Sequence, residues 1–257
     1  MGAITFIVGP GLPKARRALV DIPEIRDMTQ DFAHTRIRTV TDNWPFLYHN
    51  PHTFPFVYLG SLVLIIICGW FLVRRIVGVG ALGPWRGVDW PMFFMGSAFL
   101  LVETKNISQL AILFGSTWIV NPVVFSSVLA MAVLANLIVA RKPVASLPVL
   151  YMLLAVALML SYIVPFSTLT QLSPIWRGTV GGLITALPVL FSSVIFAKMF
   201  KETKHPDIAL GSNILGALFG GAIEALSIFI GIKAMSLIAI VIYGASWLSF
   251  LQAKPRY

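Results

Sequence analysis

Of the 257 residues 58% are hydrophobic and only 11% charged, too little charge to cover a soluble domain of that length. The mean hydropathy of +0.87 and the long apolar runs mark a polytopic membrane protein, with the lipid bilayer as its first partner. The net charge of +9 sits mostly in short loops between apolar runs; that is the pattern of a topology signal, and no nucleic-acid partner is expected.

Residues 1–50 differ from the rest, with five of the ten acidic and six of the nineteen basic residues. AITFIV reads as a short strand and GPGLP as a turn. Lys14–Val20 and Pro23–Ala33 read as short helices, with Asp21 capping the second. Fifty such residues bury little core. The segment therefore leans on the membrane part, leans on another chain, or is the tail of a larger domain. MGAITFIVGPGLPKARR is not a cleavable signal peptide, because its apolar run is short and its charges follow the run.

Seven apolar runs follow within residues 51–257, the predicted membrane domain. They are Phe56–Leu72, Pro91–Phe114, Asn121–Ala140, Leu147–Val164, Ile175–Phe200, Asp207–Ile230 and Ala234–Leu251. Each is long enough to cross a core of about 30 Å at about 1.5 Å per residue. The expected fold is thus an all-α polytopic membrane protein, with about seven transmembrane helices after a short α/β N-terminal segment. The short link at Gly231–Lys233 predicts a tight antiparallel pair of the last two helices. Cys68, the single cysteine, lies in LVLIIICGW and reads as a small buried hydrophobe.

With seven spans, one side carries Arg74, Arg75, Arg86, Arg141, Lys142, Lys198, Lys201, Lys204, Lys254 and Arg256, and the opposite short loops only Arg177 and Lys233. That bias predicts a cytoplasmic C-terminus and places residues 1–50 outside.

FLLVETKNISQLAILFGS, from Phe99 to Ser116, puts Glu103 and Lys105 near the middle of the second run. A charge there must face the bundle interior, find a partner or lose its charge. Residues two apart point to different sides of a helix. Glu103, Thr104, Lys105, Asn106, Ser108 and Gln109 therefore cover most of its circumference, so this stretch is expected to be enclosed by other helices or locally unwound around a cavity. Glu224 is the second buried carboxylate, in a run that also carries Asn213, Gly216, Gly220 and Gly221. Gly216 and Gly220 form a small-xxx-small pair. Their expected partner is the second helix, with Glu224 near Lys105. Asn136 is a further candidate for the same interior. The set reads either as helix fasteners or as a substrate, ion or proton pathway.

The chain holds no G-x-G-x-x-G, P-loop, H-E-x-x-H or C-x-x-C, so no cofactor, metal site or catalytic residue is expected from motifs. The histidines His34, His49, His52 and His205 are scattered in loops, while Trp44, Trp85 and Trp90 read as interfacial anchors.

Three stretches together resemble the membrane-embedded spermidine synthase-like proteins. TDNWPFLYHN (Thr41–Asn50), which leads into the first run, resembles the motif that closes their soluble domain, with Asn43 where a second aspartate is expected. FLLVETKNISQLAILFGSTWIVN resembles their signature helix pair, and NILGALFGGAIEALSIFIGIKA their penultimate helix. The resemblance covers residues 36–235. It implies a Rossmann-like aminopropyltransferase-type domain upstream, with GAITFIVGPGLP as its last strand and turn. Some members are likened to major facilitator transporters. This chain would be the C-terminal membrane half or a split subunit, without transferase activity of its own, in a prokaryotic inner membrane. The family's cosubstrate is cytoplasmic, which conflicts with an external N-terminal segment. Three roles stay open: a module that anchors and serves a catalytic domain, half of an exporter for a small cationic or polar solute such as a polyamine, or a structural scaffold.

Overall fold

The computed structural model describes residues 43, 56–76, 87–114, 120–141 and 144–253. The strand, turn and short helices expected within residues 1–50 lie outside them, as do His34, His49, His52, Trp44 and Trp85. The chain divides into two compact units, Met1–Thr39 and Val40–Tyr257, and every described residue belongs to the second.

Among the described residues all regular structure is helical, and each apolar run forms a helix. These are α1 (Phe56–Ile76), α2 (Trp90–Phe114), α3 (Val120–Arg141), α4 (Leu147–Ile163), a single turn α5 (Phe166–Leu169), α6 (Pro174–Glu202), α7 (Pro206–Glu224), another single turn α8 (Ser227–Ile230) and α9 (Ala234–Ala253). Among the described residues four segments are long and apolar enough to cross a membrane: Val124–Arg141, Pro174–Glu202, Pro206–Ile230 and Ala234–Gln252. Proline sits in the first turn of α4, α6 and α7, where its missing N–H would have no helical partner anyway. Asp89 starts α2, its Oδ1 accepting from the Met92 N–H at 3.1 Å, an N-cap bond of the usual kind.

α2 is not among the four, and its place explains why. It lies at the centre, against α7 and α9 along most of its length, and also against α3 and α6. Enclosure by protein lets it carry polar residues that lipid would not tolerate. The outer helices show the reverse pattern. Leu129, Val133 and Leu137 of α3, and Val63, Leu64 and Ile67 of α1, are exposed, as a lipid-facing surface requires. Cys68 belongs to that exposed face of α1, not to a core as expected. Among the described residues its helix packs mainly on α7.

The α2–α7 contact is the most extensive, and it is parallel. The Asp89 N–H donates to Ser212 Oγ at 2.9 Å, Asn213 Nδ2 to Met92 O at 3.1 Å, and Ser97 Oγ to Gly216 O at 2.7 Å. A Cβ on Gly216 would run into the Phe93 carbonyl, and one on Gly220 into the Ser97 carbonyl. The pair read from sequence as a close-approach device thus meets its expected partner. Gly221 meets only the Leu100 side chain, at 3.3 Å.

The expected tight pair of the last two helices does not form. The run 207–230 breaks at Ala225–Leu226, so residues 225–233 rather than Gly231–Lys233 alone connect α7 to α9. That longer link lets the two helices flank α2 instead of packing on each other. α9 runs antiparallel to α2: Ser246 Oγ donates to Pro91 O at 2.8 Å and meets Tyr151 OH of α4 at 2.9 Å.

Basic residues segregate along the bundle. Lys198 Nζ donates to Ala145 O at 2.9 Å, which sets the end of α6 beside the α3–α4 connection with Arg141, Lys201 and Lys204. Arg177 reaches Leu113 O at 3.3 Å, at the opposite end.

Gly216→Val should cost roughly 1–3 kcal/mol through forced separation of α2 and α7. Gly182→Ala, where no atom lies within 4 Å of the new methyl, should stabilise by roughly 0.5–1 kcal/mol through helix propensity. Thermal unfolding of the two variants in lipid nanodiscs reads the opposite signs.

Candidate functional site

The central polar residues of α2 meet two different neighbours and, for two hydroxyls, their own helix. Lys105 and Gln109 are one turn apart and share a face. That face meets α4. Lys105 Nζ donates to Ser161 Oγ at 2.6 Å, and Ser161 Oγ donates to Gln109 Oε1 at 3.4 Å. Lys105 and Gln109 are 2% exposed and Ser161 0%, so this chain of three groups is closed to solvent. A hydroxyl is the one small group that accepts from the lysine and still donates to the glutamine.

Asn106 points to α6. Its Nδ2 donates to the Thr185 carbonyl at 3.0 Å, while Thr185 Oγ1 lies 3.0 Å from the carbonyls of Gly181 and Gly182. Thr104 and Ser108 turn back on their own helix, donating to Leu100 O at 3.0 Å and Thr104 O at 3.3 Å. Such local bonds satisfy a hydroxyl without a neighbour.

Glu103 is half-buried. Glu224 is also half-buried, and Ser227 Oγ donates to its Oε1 at 3.5 Å. The expected Lys105–Glu224 pair is replaced by Lys105–Ser161. The register explains it: Asp89–Ser212, Phe93–Gly216 and Ser97–Gly220 keep one constant offset, which sets Glu224 level with Leu101. Glu224 faces the α7 side of α2, whereas Lys105 faces α4. Glu103 and Glu224 nevertheless fall within one turn of each other along the bundle axis.

Asn213 is half-buried and spent on α2, donating to Met92 O. Asn136 does not join the interior: it lies on the exposed face of α3, because the buried line of that helix runs through Val124, Val128 and Ala135. Among the described residues no three His, Cys, Asp or Glu side chains gather as metal ligands do.

Sequence reading missed Ser161 and Thr185, single hydroxyls in apolar runs whose neighbours no periodicity reveals. It also missed the use made of Asn43. The Asn43 carbonyl accepts from the Ile232 N–H at 2.9 Å, and its Oδ1 from the Lys233 N–H at 3.0 Å. Gly231 adopts φ +88°, a left-handed conformation suited to glycine, and a Cβ there would run into the Asn43 amide. Asn43 thus holds the α8–α9 turn.

Comparison with protein-family models, with curated proteins and with solved structures finds no match.

Ser161→Ala should destabilise the bundle by roughly 1–3 kcal/mol, since it strips Lys105 of its acceptor. Lys105→Met together with Ser161→Ala should recover most of that loss, as apolar replacement of a whole buried polar pair generally does. A double-mutant cycle by thermal unfolding measures the coupling.

Proposed function

We propose that the chain is the integral membrane module of a spermidine synthase-like protein, a rigid helical bundle that anchors and serves a Rossmann-like catalytic domain. The observation that carries this reading is the Lys105–Ser161 hydrogen bond. The most costly side chain in the membrane interior is turned onto a neighbouring helix and closed off by it. A group in that position fastens helices; it does not meet a solute. Asn106 and Asn213 are likewise committed to helix–helix bonds. The Asn43 contact supports the anchoring role, because it ties the segment that precedes α1 to the α8–α9 turn at one end of the bundle.

In this reading all seven apolar helices span the bilayer. α1 and α4 are short in apolar length, and α2 is shielded by the others. The membrane is a prokaryotic inner membrane. The end that carries Arg141, Lys198, Lys201 and Lys204 faces the cytoplasm by the positive-inside rule, and the C-terminus lies on that side. In a chain with Cys68 replaced by alanine, a cysteine at position 204 should resist a membrane-impermeant thiol reagent in intact cells. A cysteine at position 233 should react with it; the reverse result inverts the orientation.

A second reading, half of an exporter for a small cationic solute, is favoured by one feature: two half-buried carboxylates, Glu103 and Glu224, at the same level on parallel helices. One preparation separates the two readings. Protein purified from its native membranes should contain, or bring with it, a Rossmann-like transferase domain visible by denaturing mass spectrometry. The purified chain in vesicles should pass no polyamine. Flux that is lost in Glu103→Gln and in Glu224→Gln would replace the anchor with the exporter.

A further inference from the structure

Between α2, α3 and α6 lies a small cavity with about 10 Å³ of space for the centre of a water-sized sphere, lined by Asn106, Ser127 and Thr185 among apolar side chains. Asn106 is 3% exposed. Its Nδ2 is committed to the Thr185 carbonyl. Because a carbonyl only accepts, the amide orientation is fixed and Oδ1 must look elsewhere. Among the described residues that oxygen has no hydrogen-bond partner.

The other two polar groups at the cavity have the same character. Ser127 Oγ donates to Val124 O at 2.7 Å, and Thr185 Oγ1 to the carbonyls one turn before it. Each hydroxyl has used its only hydrogen, so each offers lone pairs alone. The lining therefore presents acceptors from three helices, and its one spare donor is the second hydrogen of Asn106 Nδ2. Only an occupant that donates hydrogen bonds, or a cation, completes it. A cation is disfavoured, because no carboxylate lines the cavity to offset the loss of its hydration. The space matches one water, which needs about 10–15 Å³ by this measure and two to four polar partners.

We infer that this cavity binds a single ordered water that donates to Asn106 Oδ1 and to a hydroxyl oxygen of Ser127 or Thr185, bridging α2 to its neighbours. In hydrocarbon no bulk solvent is at hand to satisfy the amide oxygen instead, so the water is part of the helix packing. It adds a joint to α3 beside the direct Asn106–Thr185 bond between α2 and α6.

The test uses the sign of a cavity-filling substitution. Ala186 also lines the space. Ala186→Val expels a water and leaves Asn106 Oδ1 without a donor, so the melting temperature in nanodiscs should fall by roughly 2–4 °C. In an Asn106→Leu background the orphaned oxygen is gone, and the same Ala186→Val change should leave the melting temperature level or raise it. An equal change in both backgrounds, of either sign, overturns the water, since the effect is then packing alone. Should Asn106→Leu fail to fold, a high-resolution density map of the unsubstituted chain decides. A peak about 2.6–3.2 Å from Asn106 Oδ1 supports the site, and a void there overturns it.

Discussion

The enclosure of α2 is the constraint on which the rest of the bundle depends. A helix with Glu103, Lys105, Asn106 and Gln109 near its midpoint cannot face hydrocarbon, where no solvent replaces a missing hydrogen bond. It must be surrounded, and each neighbour must bring a group of the right sense. α4 brings the Ser161 hydroxyl to Lys105, α6 the Thr185 carbonyl to Asn106, and α7 the Gly216 carbonyl to Ser97. The small residues of α7 follow from the same demand. Only with glycine at 216 and 220 do the two backbones come close enough for Ser97 to reach a main-chain oxygen on the other helix.

Such a design trades apolar packing for directional bonds. Lipid tails are as apolar as leucine, so apolar surface alone does not draw helices together within a bilayer. Packing and interhelical hydrogen bonds do so instead, each bond contributing about 0.6–2 kcal/mol. Hydrogen bonds also choose partners, because a mispaired register would leave Lys105 beside a leucine. The half-buried Glu103 and Glu224 stand outside the closed set, within one turn of each other along the bundle.

The two ends of the bundle differ as the interior does not. One end gathers Arg141, Lys198, Lys201 and Lys204, with Lys201 reaching the Val139 carbonyl in the last turn of α3 and Lys198 the Ala145 carbonyl in the α3–α4 connection. At the other end Arg177 supports the last turn of α2. These contacts let long basic side chains serve the helix termini while they mark sidedness, and both roles need only that the charge sit at the interface. Asn43 adds a clamp on the α8–α9 turn, closing a connection that Gly231 alone makes possible.

The sequence by itself determined the class of protein, where each of the seven long helices begins, and the fact that α2 needs enclosure. Those follow from composition, from the length of apolar runs and from the depth of Glu103 and Lys105, all one-dimensional properties. It also determined the α2–α7 contact, because Gly216 and Gly220 announce a close approach and α2 was the helix in need of cover. Only the tertiary structure decided who meets whom. A helical period says which residues share a face, but not which helix that face will meet. Thus Lys105 went to Ser161 rather than Glu224, Asn136 and Cys68 turned outward, and the break at Ala225–Leu226 sent α9 to another side of α2. Partner choice in a bundle depends on the relative rotation and height of whole helices, which are set jointly by every contact.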